Sequence, residues 1–399
     1  MNGVRSSGDV VRWTKRISAL ARSGREAEAV AAFARMDAAP NALTLASVLP
    51  ACARLRDLAM GRAIHGLWLR RGGGHGANPI VDNAVLDVYA KCGALVSARR
   101  LFDEMPHRDV FAWTTMVWGL ARSGSPHDAV AMFRSMLSVV SDGDATPKPN
   151  DATVVSALHA VATLGSSVSC KLLHSYATKQ GLGGETVVGN ALIDAYAKCG
   201  DAPQAFKVFV DLPEKDMVSW GTVTRAMAVH GRCREALQLF SLMLRRGVRP
   251  DGAVFLALLT AFSHAGRVDQ ALLFLGAMAR VYGVSPLTEH YTCVLDACGR
   301  AGQLDRAGEI FRQMPVECDA EKALGVYCSY AVSNGVADVA GERLPDLFLD
   351  GEVDAGGGTY ALISKSLADA GRWEDACAVR ERMAARRIEK EAACTWIEV

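Results

Sequence analysis

The stretch AVLDVYAKCG at residues 84–93 returns almost unchanged as ALIDAYAKCG at residues 191–200, 107 positions later. Each copy places apolar residues at helical spacing before a glycine, and a second apolar run with the same spacing follows. Glycine ends a helix readily, because it adopts the left-handed backbone conformation at little steric cost. The stretch therefore predicts two helices that are joined by a short turn.

The same hinge recurs eleven times along the 399-residue chain, at steps of 31 to 41 residues. A small residue stands five positions after each hinge, where it lets two helices cross closely. The hinges are Gly24, Arg56, Gly93, Gly124, Gly165, Gly200, Gly231, Gly266, Gly302, Gly335 and Gly371, and the small residues are Ala29, Gly61, Ala98, Ala129, Cys170, Ala205, Ala236, Ala271, Ala307, Ala340 and Ala376. A repeat of this length is typical of a helical solenoid, so the sequence predicts an all-α fold.

The composition argues against a membrane protein and against a disulfide-linked or zinc-bound one. No stretch approaches the ~20 uninterrupted apolar residues that span a bilayer. The 11 cysteines are odd in number and include no Cys-x-x-Cys, so we expect packed, reduced thiols. With 44 basic and 43 acidic residues, the net charge is +1. Bulk charge is therefore a weak attraction for nucleic acid, and any such binding needs locally placed cations.

The repeats follow a triplet order. One member is short and carries Asn83 or Asn190 near its start, and one carries a Trp-Thr pair at residues 13–14 or 113–114. The third lacks both features and has His65 or His174 nine residues after its hinge. The two histidines are 109 residues apart in equivalent repeats, which favours a packing role within the repeat over a metal site.

Several segments resemble the plant pentatricopeptide repeat family. The repeat that ends in RGVRPD at residues 246–251 has the family's standard length, and FSHAGRVDQA (262–271) and EHYTCVLDACGRAGQLDRA (289–307) are similar to its last long and short motifs. YALISKSLADAGRWEDACAVRERM (360–383) and EKEAACTWIEV (389–399) resemble the extension of its editing subgroup. The resemblance runs from about Val10 to Val399. It indicates the class that alternates standard, long and short motifs (the PLS class) and, within it, the E subgroup.

This resemblance implies a fold and a domain organisation. The expected fold is a right-handed α-solenoid of helix-turn-helix pentatricopeptide repeats. Residues 1–9 form a short N-terminal segment, residues 10–319 form nine repeats of mixed type, and residues 320–399 form a degenerate-repeat E-type extension without a deaminase domain. Two features are expected to interrupt the repeats, namely a flexible surface loop between Met136 and Pro149 and a break at residues 356–358, which are three consecutive glycines.

The resemblance also implies that each repeat reads one RNA base with two side chains. One lies ten residues before the hinge, and the other is the last residue of the motif. The predicted RNA-binding pairs are Thr14 with Asn41, Asn83 with Asp109, Thr114 with Asn150, Asn190 with Asp216, Gly221 with Asp251, and Thr292 with Asp319. The long motifs supply Ala46 with Asn78, Val155 with Glu185, and Leu256 with Leu287, whose apolar first members make poor readers. The alternative role for each polar residue is a helix cap or a solvated side chain.

The family's recognition rule assigns adenine to Thr with Asn, uracil to Asn with Asp, and guanine to Thr with Asp. From the 5′ end, the preferred RNA is therefore A, any, U, A, any, U, unclear, any, G. The seventh base is unclear because Gly221 has no side chain to read with, which leaves Asp251 alone.

The sequence predicts no enzyme. Zinc deaminases carry His-x-Glu together with Cys-x-x-Cys, and neither motif occurs here. We expect no catalytic residue, cofactor or metal. The resemblance implies a factor that selects sites for C-to-U editing in single-stranded organelle RNA, while a deaminase-bearing protein and editing cofactors act in trans. Arg372, Trp373, Glu374 and Trp396 are candidate contacts for these partners, although the two tryptophans have a core role as their alternative.

Two other functions stay open. The first is a factor for organelle RNA splicing, stability or translation, and the second is a protein-binding helical-repeat scaffold. The resemblance implies a mitochondrial or chloroplast location, with the mitochondrion slightly preferred. About nine residues precede the first repeat, and they contain no clear transit peptide.

Overall fold

The computed structural model describes residues 7–138, 147–315, 318, 319, 322, 323, 325, 326, 330, 357–369 and 371–385. In these residues the regular structure is entirely helical, which confirms the all-α prediction. The chain divides into two compact units, Met1–Pro213 and Glu214–Val399. The long loop expected between Met136 and Pro149 falls largely outside the described residues, as do Gly335, Ala340 and Trp396.

The first unit consists of helix pairs. Its helices are α1 (Ser7–Arg22), α2 (Glu26–Ala34), α3 (Ala42–Leu55), α4 (Leu58–Arg70), α5 (Pro79–Lys91), α6 (Leu95–Glu104), α7 (Val110–Arg122), α8 (Pro126–Ser138), α9 (Asp151–Leu164), α10 (Ser167–Lys179), α11 (Thr186–Lys198) and α12 (Ala202–Asp211), and a short 3₁₀ turn spans Leu182–Gly184. Each first helix packs against the first helix of the next pair, from α1 through α3, α5, α7 and α9 to α11. The first helices thus form one layer, and their partners form the second.

The second unit repeats this arrangement. Its helices are α13 (Met217–Val229), α14 (Cys233–Arg245), α15 (Gly252–His264), α16 (Val268–Tyr282), α17 (Thr288–Arg300), α18 (Leu304–Gln313), α19 (Gly357–Asp369) and α20 (Trp373–Ala385). Helix α15 packs against both α13 and α17, and α19 packs against α20. Stacked helix pairs within each unit are the solenoid that the repeat length predicts.

The predicted hinges lie between the two helices of each pair. The described glycine hinges have positive φ angles from 62° at Gly165 to 84° at Gly200. The backbone N–H of the residue directly after the hinge donates back to the first helix, as in the 2.9 Å bond from Ala94 N to the Tyr89 carbonyl. Arg56 adopts the same conformation with φ 55° and is the non-glycine residue with positive φ among the described residues. The hinge prediction is therefore confirmed, including at the position where the sequence has arginine.

The small residues five positions later lie where the two layers meet. Ala29, Ala98, Ala129, Cys170 and Ala205 are each fully buried. Gly61 is the tightest of these positions, because a β-carbon there would overlap Val88 Cγ1 on α5. Larger side chains would force the helices apart, and close-packed interiors resist such changes.

The two histidines of the third triplet member have a shared structural role. His65 Nδ1 lies 2.9 Å from the Tyr89 hydroxyl, and His174 Nδ1 lies 3.0 Å from the Tyr196 hydroxyl. Each bond ties a second helix to the first helix of the following pair. Burial lowers the pKa of both histidines. The predicted packing role is thus confirmed.

Cysteine thiols in the described residues are free, and those of Cys52, Cys170, Cys233 and Cys298 are buried. Burial raises the pKa of Cys52 and of Cys170 to about 12 and that of Cys298 to about 11. Such thiols stay protonated at neutral pH and behave as small apolar side chains. None of the described helices has the length and apolar character that crossing a bilayer requires.

Two expectations concern the described part of the C-terminal segment. Helix α19 begins at Gly357, so Gly357 and Gly358 lie in its first turn, and Gly356 falls outside the described residues. A first turn tolerates glycine because its N–H groups have no partner within the helix. Trp373 is 67% exposed at the start of α20, so the core role is wrong for this residue.

Arg56 generates the first testable prediction. A non-glycine residue in the left-handed conformation costs about 1–2 kcal/mol, so Arg56→Gly should raise the free energy of unfolding by about 1 kcal/mol. The reverse change, Gly93→Arg, should lower it by a similar amount, since a side chain there has open space and only the backbone is strained. Urea unfolding followed by circular dichroism measures both. Equal midpoints for Arg56→Gly and the parent protein would show that the hinge is not strained.

Candidate nucleic-acid interface

The residues ten positions before each hinge from Gly24 to Gly302 lie along the first helices. They are Thr14 on α1, Ala46 on α3, Asn83 on α5, Thr114 on α7, Val155 on α9, Asn190 on α11, Gly221 on α13, Leu256 on α15 and Thr292 on α17. Because the first helices pack side by side within each unit, equivalent positions form a row across each unit's first layer.

The second member of most predicted pairs caps the next first helix. The side-chain oxygens of Asn41, Asp109, Asn150, Asp216 and Asp251 accept bonds of 2.8 to 3.0 Å from the backbone N–H three residues later. The alternative role in capping is therefore real at all five positions. Capping uses one oxygen of each side chain.

Asn83 and Asp109 meet directly. Asn83 Nδ2 donates a 2.8 Å hydrogen bond to Asp109 Oδ2, while Asp109 Oδ1 caps α7 through the N–H of Ala112. Asn83 Oδ1 is buried and has no hydrogen-bond partner among the described residues. The two residues are 26 positions apart, so the fold brings together the pair that the sequence predicts.

The Thr–Asn pairs meet through an intermediate threonine. Thr14 Oγ1 lies 2.7 Å from Thr44 Oγ1, which in turn lies 2.8 Å from the oxygen of Asn41. Thr14 Oγ1 also contacts the Val10 carbonyl at 2.8 Å. The hydroxyls of Thr14 and Thr44 have one hydrogen each, so two hydrogens are shared among three oxygen–oxygen contacts. The direction of the hydrogen bond between the two hydroxyls can therefore reverse.

The same relay occurs a second time. Thr114 Oγ1 lies 2.6 Å from Thr153 Oγ1, and Thr153 Oγ1 lies 2.8 Å from Asn150 Oδ1. Neither Thr44 nor Thr153 was among the predicted site residues. The available signal was the spacing Asn-x-x-Thr at 41–44 and 150–153, which is a capping pattern.

The remaining pairs are placed as follows. Asn190 lies on α11 in the first unit, and Asp216 caps α13 in the second. Thr292 lies on α17, and Asp319 Oδ1 accepts a 3.0 Å bond from the backbone N–H of Lys322.

Second members in the long motifs behave less uniformly. Asn78 caps α5 through the N–H groups of Ile80 and Val81, at 3.1 and 3.3 Å. Glu185 and Leu287 make no side-chain cap. Side-chain caps are thus absent where the first member of the pair is Val155 or Leu256.

An exposed apolar row accompanies the polar pairs and was missed by the sequence analysis. Thirteen positions before their hinges, six large apolar side chains are 47% to 68% exposed, namely Val11, Leu43, Ile80, Phe111, Val187 and Val218. Each lies one helical turn before the polar position, on the same face. Apolar side chains exposed at a fixed spacing indicate a binding surface. The constant distance of thirteen positions from the hinge could have revealed this row in the sequence. Apolar residues early in a helix are normally core residues, however, so the pattern alone did not indicate exposure.

Cations occupy a third row, two residues before the hinge. Arg22, Arg54, Lys91, Arg122, Lys198 and Arg300 hold this position. Several pair with a carboxylate one turn earlier, as in Lys91 Nζ to Asp87 Oδ2 at 2.8 Å and Lys198 Nζ to Asp194 Oδ2 at 2.9 Å. Binding of nucleic acid by a chain with near-zero net charge needs locally placed cations, and this row supplies cations at a regular spacing.

The three rows suit one kind of ligand. Apolar side chains can contact flat rings, the polar pairs can bond to ring edges, and the cations can attract phosphate. Among the described residues, no group of three or more His, Cys, Asp or Glu side chains is arranged to hold a metal ion.

Comparisons with known families agree with this geometry. The model described as "PPR repeat" matches residues 83–110, 111–139, 190–217, 218–248 and 289–318, and the model described as "Pentatricopeptide repeat domain" matches residues 238–299. A crystal structure of the pentatricopeptide repeat protein PPR10 in complex with an 18-nt psaJ RNA element superposes with a TM-score of 0.72. That match covers 95% of this chain and 56% of that one at 19% identity, so it shows the fold alone.

Curated relatives from Arabidopsis thaliana match nearly the whole chain. A mitochondrial pentatricopeptide repeat-containing protein is 35% identical, over 98% of this chain and 61% of its own length. A chloroplastic one is 32% identical, over 97% of this chain and 44% of its own length. A third pentatricopeptide repeat-containing protein is 34% identical, over 98% of this chain and 68% of its own length. The chain thus spans about half the length of the first two relatives.

Proposed function

Because this chain belongs to the pentatricopeptide repeat family, we propose that it binds single-stranded RNA and reads individual bases through successive repeats. We propose a binding protein and not an enzyme. The observation that carries the proposal is the hydrogen bond between Asn83 and Asp109, which joins two side chains from neighbouring repeats at the predicted reading position. The complex of PPR10 with an RNA element supports it.

Uracil fits the Asn83–Asp109 pair. Its pairing edge has one N–H donor between two carbonyl acceptors. The carboxylate of Asp109 can accept from the N–H, and the amide of Asn83 can donate to a neighbouring carbonyl. A Thr–Asn pair is neutral and contains reversible hydroxyls, which suits the mixed donor and acceptor edge of adenine.

A binding experiment tests base reading. Purified protein should bind the RNA A-N-U-A-N-U-N-N-G more tightly than a version with both uracils replaced by adenine, by at least the ~1 kcal/mol expected for lost base contacts. Asp109→Asn keeps an oxygen that can cap α7 but removes the carboxylate, so it should weaken the uracil preference at the third base without unfolding the protein. Fluorescence anisotropy at one fixed salt concentration measures all affinities. Equal binding of both RNAs would contradict the predicted base preferences and favour the role as a protein-binding scaffold.

The apolar row should act as a set of platforms for the bases. Loss of one platform is expected to weaken binding of every RNA by about tenfold, since stacking of a base contributes about 1–3 kcal/mol. Ile80→Ser tests this, and Val96→Ser is its matched control, because Val96 is 71% exposed on the second helix α6. Equal affinities for the two variants would remove the apolar row from the interface.

We further propose the PLS class, the E subgroup and a role as a site-recognition factor for C-to-U editing, with a deaminase-bearing protein in trans. The support is the resemblance of residues 360–383 and 389–399 to the extension of that subgroup, together with the exposure of Trp373. An exposed tryptophan at the start of a helix is suited to contact a protein partner.

Organelle transcript sequencing tests the editing role. A plant that lacks this protein should retain an unconverted cytidine downstream of a matching RNA string, and a Trp373→Ala transgene should restore conversion poorly. Full editing with altered splicing or abundance of a transcript would instead support the splicing, stability or translation role. An organelle location follows from the relatives, which carry mitochondrial and chloroplastic names. Between the two organelles we propose the mitochondrion.

A further inference from the structure

Thr44 and Thr153 connect the two members of the predicted Thr–Asn pairs, although neither can contact a ligand. Both side chains are fully buried. Each is the third residue of a first helix, Thr44 in α3 and Thr153 in α9, and its backbone N–H receives the cap of that helix. Any contribution that they make to binding therefore acts through a neighbouring side chain.

Thr44 donates two hydrogen bonds to the same oxygen of Asn41. Its backbone N–H lies 2.9 Å from Asn41 Oδ1, and its hydroxyl lies 2.8 Å from it. A carbonyl oxygen can only accept, so the hydroxyl hydrogen points towards Asn41, and both lone pairs of Oδ1 are used. Thr44 Oγ1 in turn accepts the hydrogen of Thr14 Oγ1, 2.7 Å away. The amide oxygen of Asn41 is thus held towards α3 by two donors.

The same geometry holds the cap of α9. The backbone N–H and the hydroxyl of Thr153 donate to Asn150 Oδ1 at 3.0 and 2.8 Å. Thr153 Oγ1 lies 2.6 Å from Thr114 Oγ1, and it also accepts a 3.3 Å bond from the backbone N–H of Asn150. Each Thr–Asn pair therefore holds its asparagine in the same orientation.

Fixing the oxygen fixes the other end of the amide. Asn41 and Asn150 are exposed, and their side-chain NH₂ groups form no hydrogen bond with the described residues. One end of an amide donates and the other accepts, so each of these caps offers only donors to a ligand. Turning the amide around would break two hydrogen bonds at once.

An aspartate cap does not need this arrangement, because both ends of a carboxylate are acceptors. After the aspartate caps of α7 and α15, the third helical residue is Ala112 or Val254, which has no hydroxyl. After the aspartate cap of α13 it is Ser219, which does donate to the cap, at 2.8 Å. Threonine holds this place after the asparagine of both Thr–Asn pairs, where the orientation of the cap decides between donor and acceptor.

We propose that Thr44 and Thr153 are positioning residues that make the protein select adenine over guanine at the first and fourth bases. The proposal rests on the RNA-binding function above, in which the cap residue meets the central ring nitrogen of the pairing edge. That nitrogen, N1, is an acceptor in adenine and carries a hydrogen in guanine. An amide that offers only donors therefore bonds to adenine and opposes the N1–H of guanine. The two bases are both purines, so the polarity of the cap separates them.

RNAs with adenine or guanine at the first or the fourth base of A-N-U-A-N-U-N-N-G test this role. In Thr44→Val the ratio of affinities for adenine and guanine at the first base should fall about fivefold, because one of the two hydrogen bonds that hold the amide is lost. The ratio at the fourth base should not change. Thr153→Val should show the reverse pattern, so each variant is the matched control of the other. Thr44→Ser keeps the hydroxyl and should keep both ratios. Fluorescence anisotropy at one fixed salt concentration measures the affinities.

Thr224→Val controls for the loss of a buried hydroxyl. Thr224 is 1% exposed and donates to the Trp220 carbonyl at 2.7 Å, so its replacement should change neither ratio. Circular dichroism verifies that each variant is folded. An unchanged first-base ratio in Thr44→Val, or an equal fall at both bases, would overturn the positioning role. If the parent protein distinguishes the uracils but binds adenine and guanine equally at both bases, the positioning role is wrong and the RNA-binding function stands. If it binds none of the RNAs, both proposals fail.

Discussion

The close crossing of the two helices in each repeat determines where every other group lies. A residue no larger than alanine or cysteine stands at the crossing. At Gly61 this residue also meets the first helix of the next repeat, where even a β-carbon would overlap Val88 on α5. The hinge five residues earlier fixes the rotation of the first helix relative to the second. Because both constraints recur at the same offset, a position counted back from the hinge falls on the same face in every repeat. The apolar, polar and cationic rows are consequences of this fixed geometry.

The polar pairs combine two roles that usually compete. A capping side chain uses one acceptor on the helix that follows, and its other atoms remain free to contact a neighbour. Asp109 shows both roles at once, since one oxygen caps α7 and the other binds Asn83. The relays through Thr44 and Thr153 reach the same result with hydroxyls. The predicted pairs are therefore held by the secondary structure itself without any ligand, and such order lowers the entropy cost of binding one.

Much of this arrangement could be predicted from the sequence, because it depends on local backbone geometry. Glycine predicts a left-handed hinge wherever it ends an apolar run, and even Arg56 was found by its spacing. The pairing of Asn83 with Asp109 followed from counting along a constant repeat. Exposure could not be predicted in this way. Ile80 and Phe111 have the composition of core residues, and only the packing of neighbouring first helices shows that they lie at the surface. The core role expected for Trp373 was wrong for the same reason, since exposure depends on packing.

Capping also restricts how such a protein can change its target. The last residue of a motif must end one turn and begin the next helix, so substitutions that preserve folding are confined to the few short polar side chains that cap. Residues ten positions before the hinge do not cap a helix, and glycine, alanine, valine and leucine all occur there. Under the proposed function, new specificities are thus more accessible through the first helix than through its cap, except at Glu185 and Leu287, which make no side-chain cap.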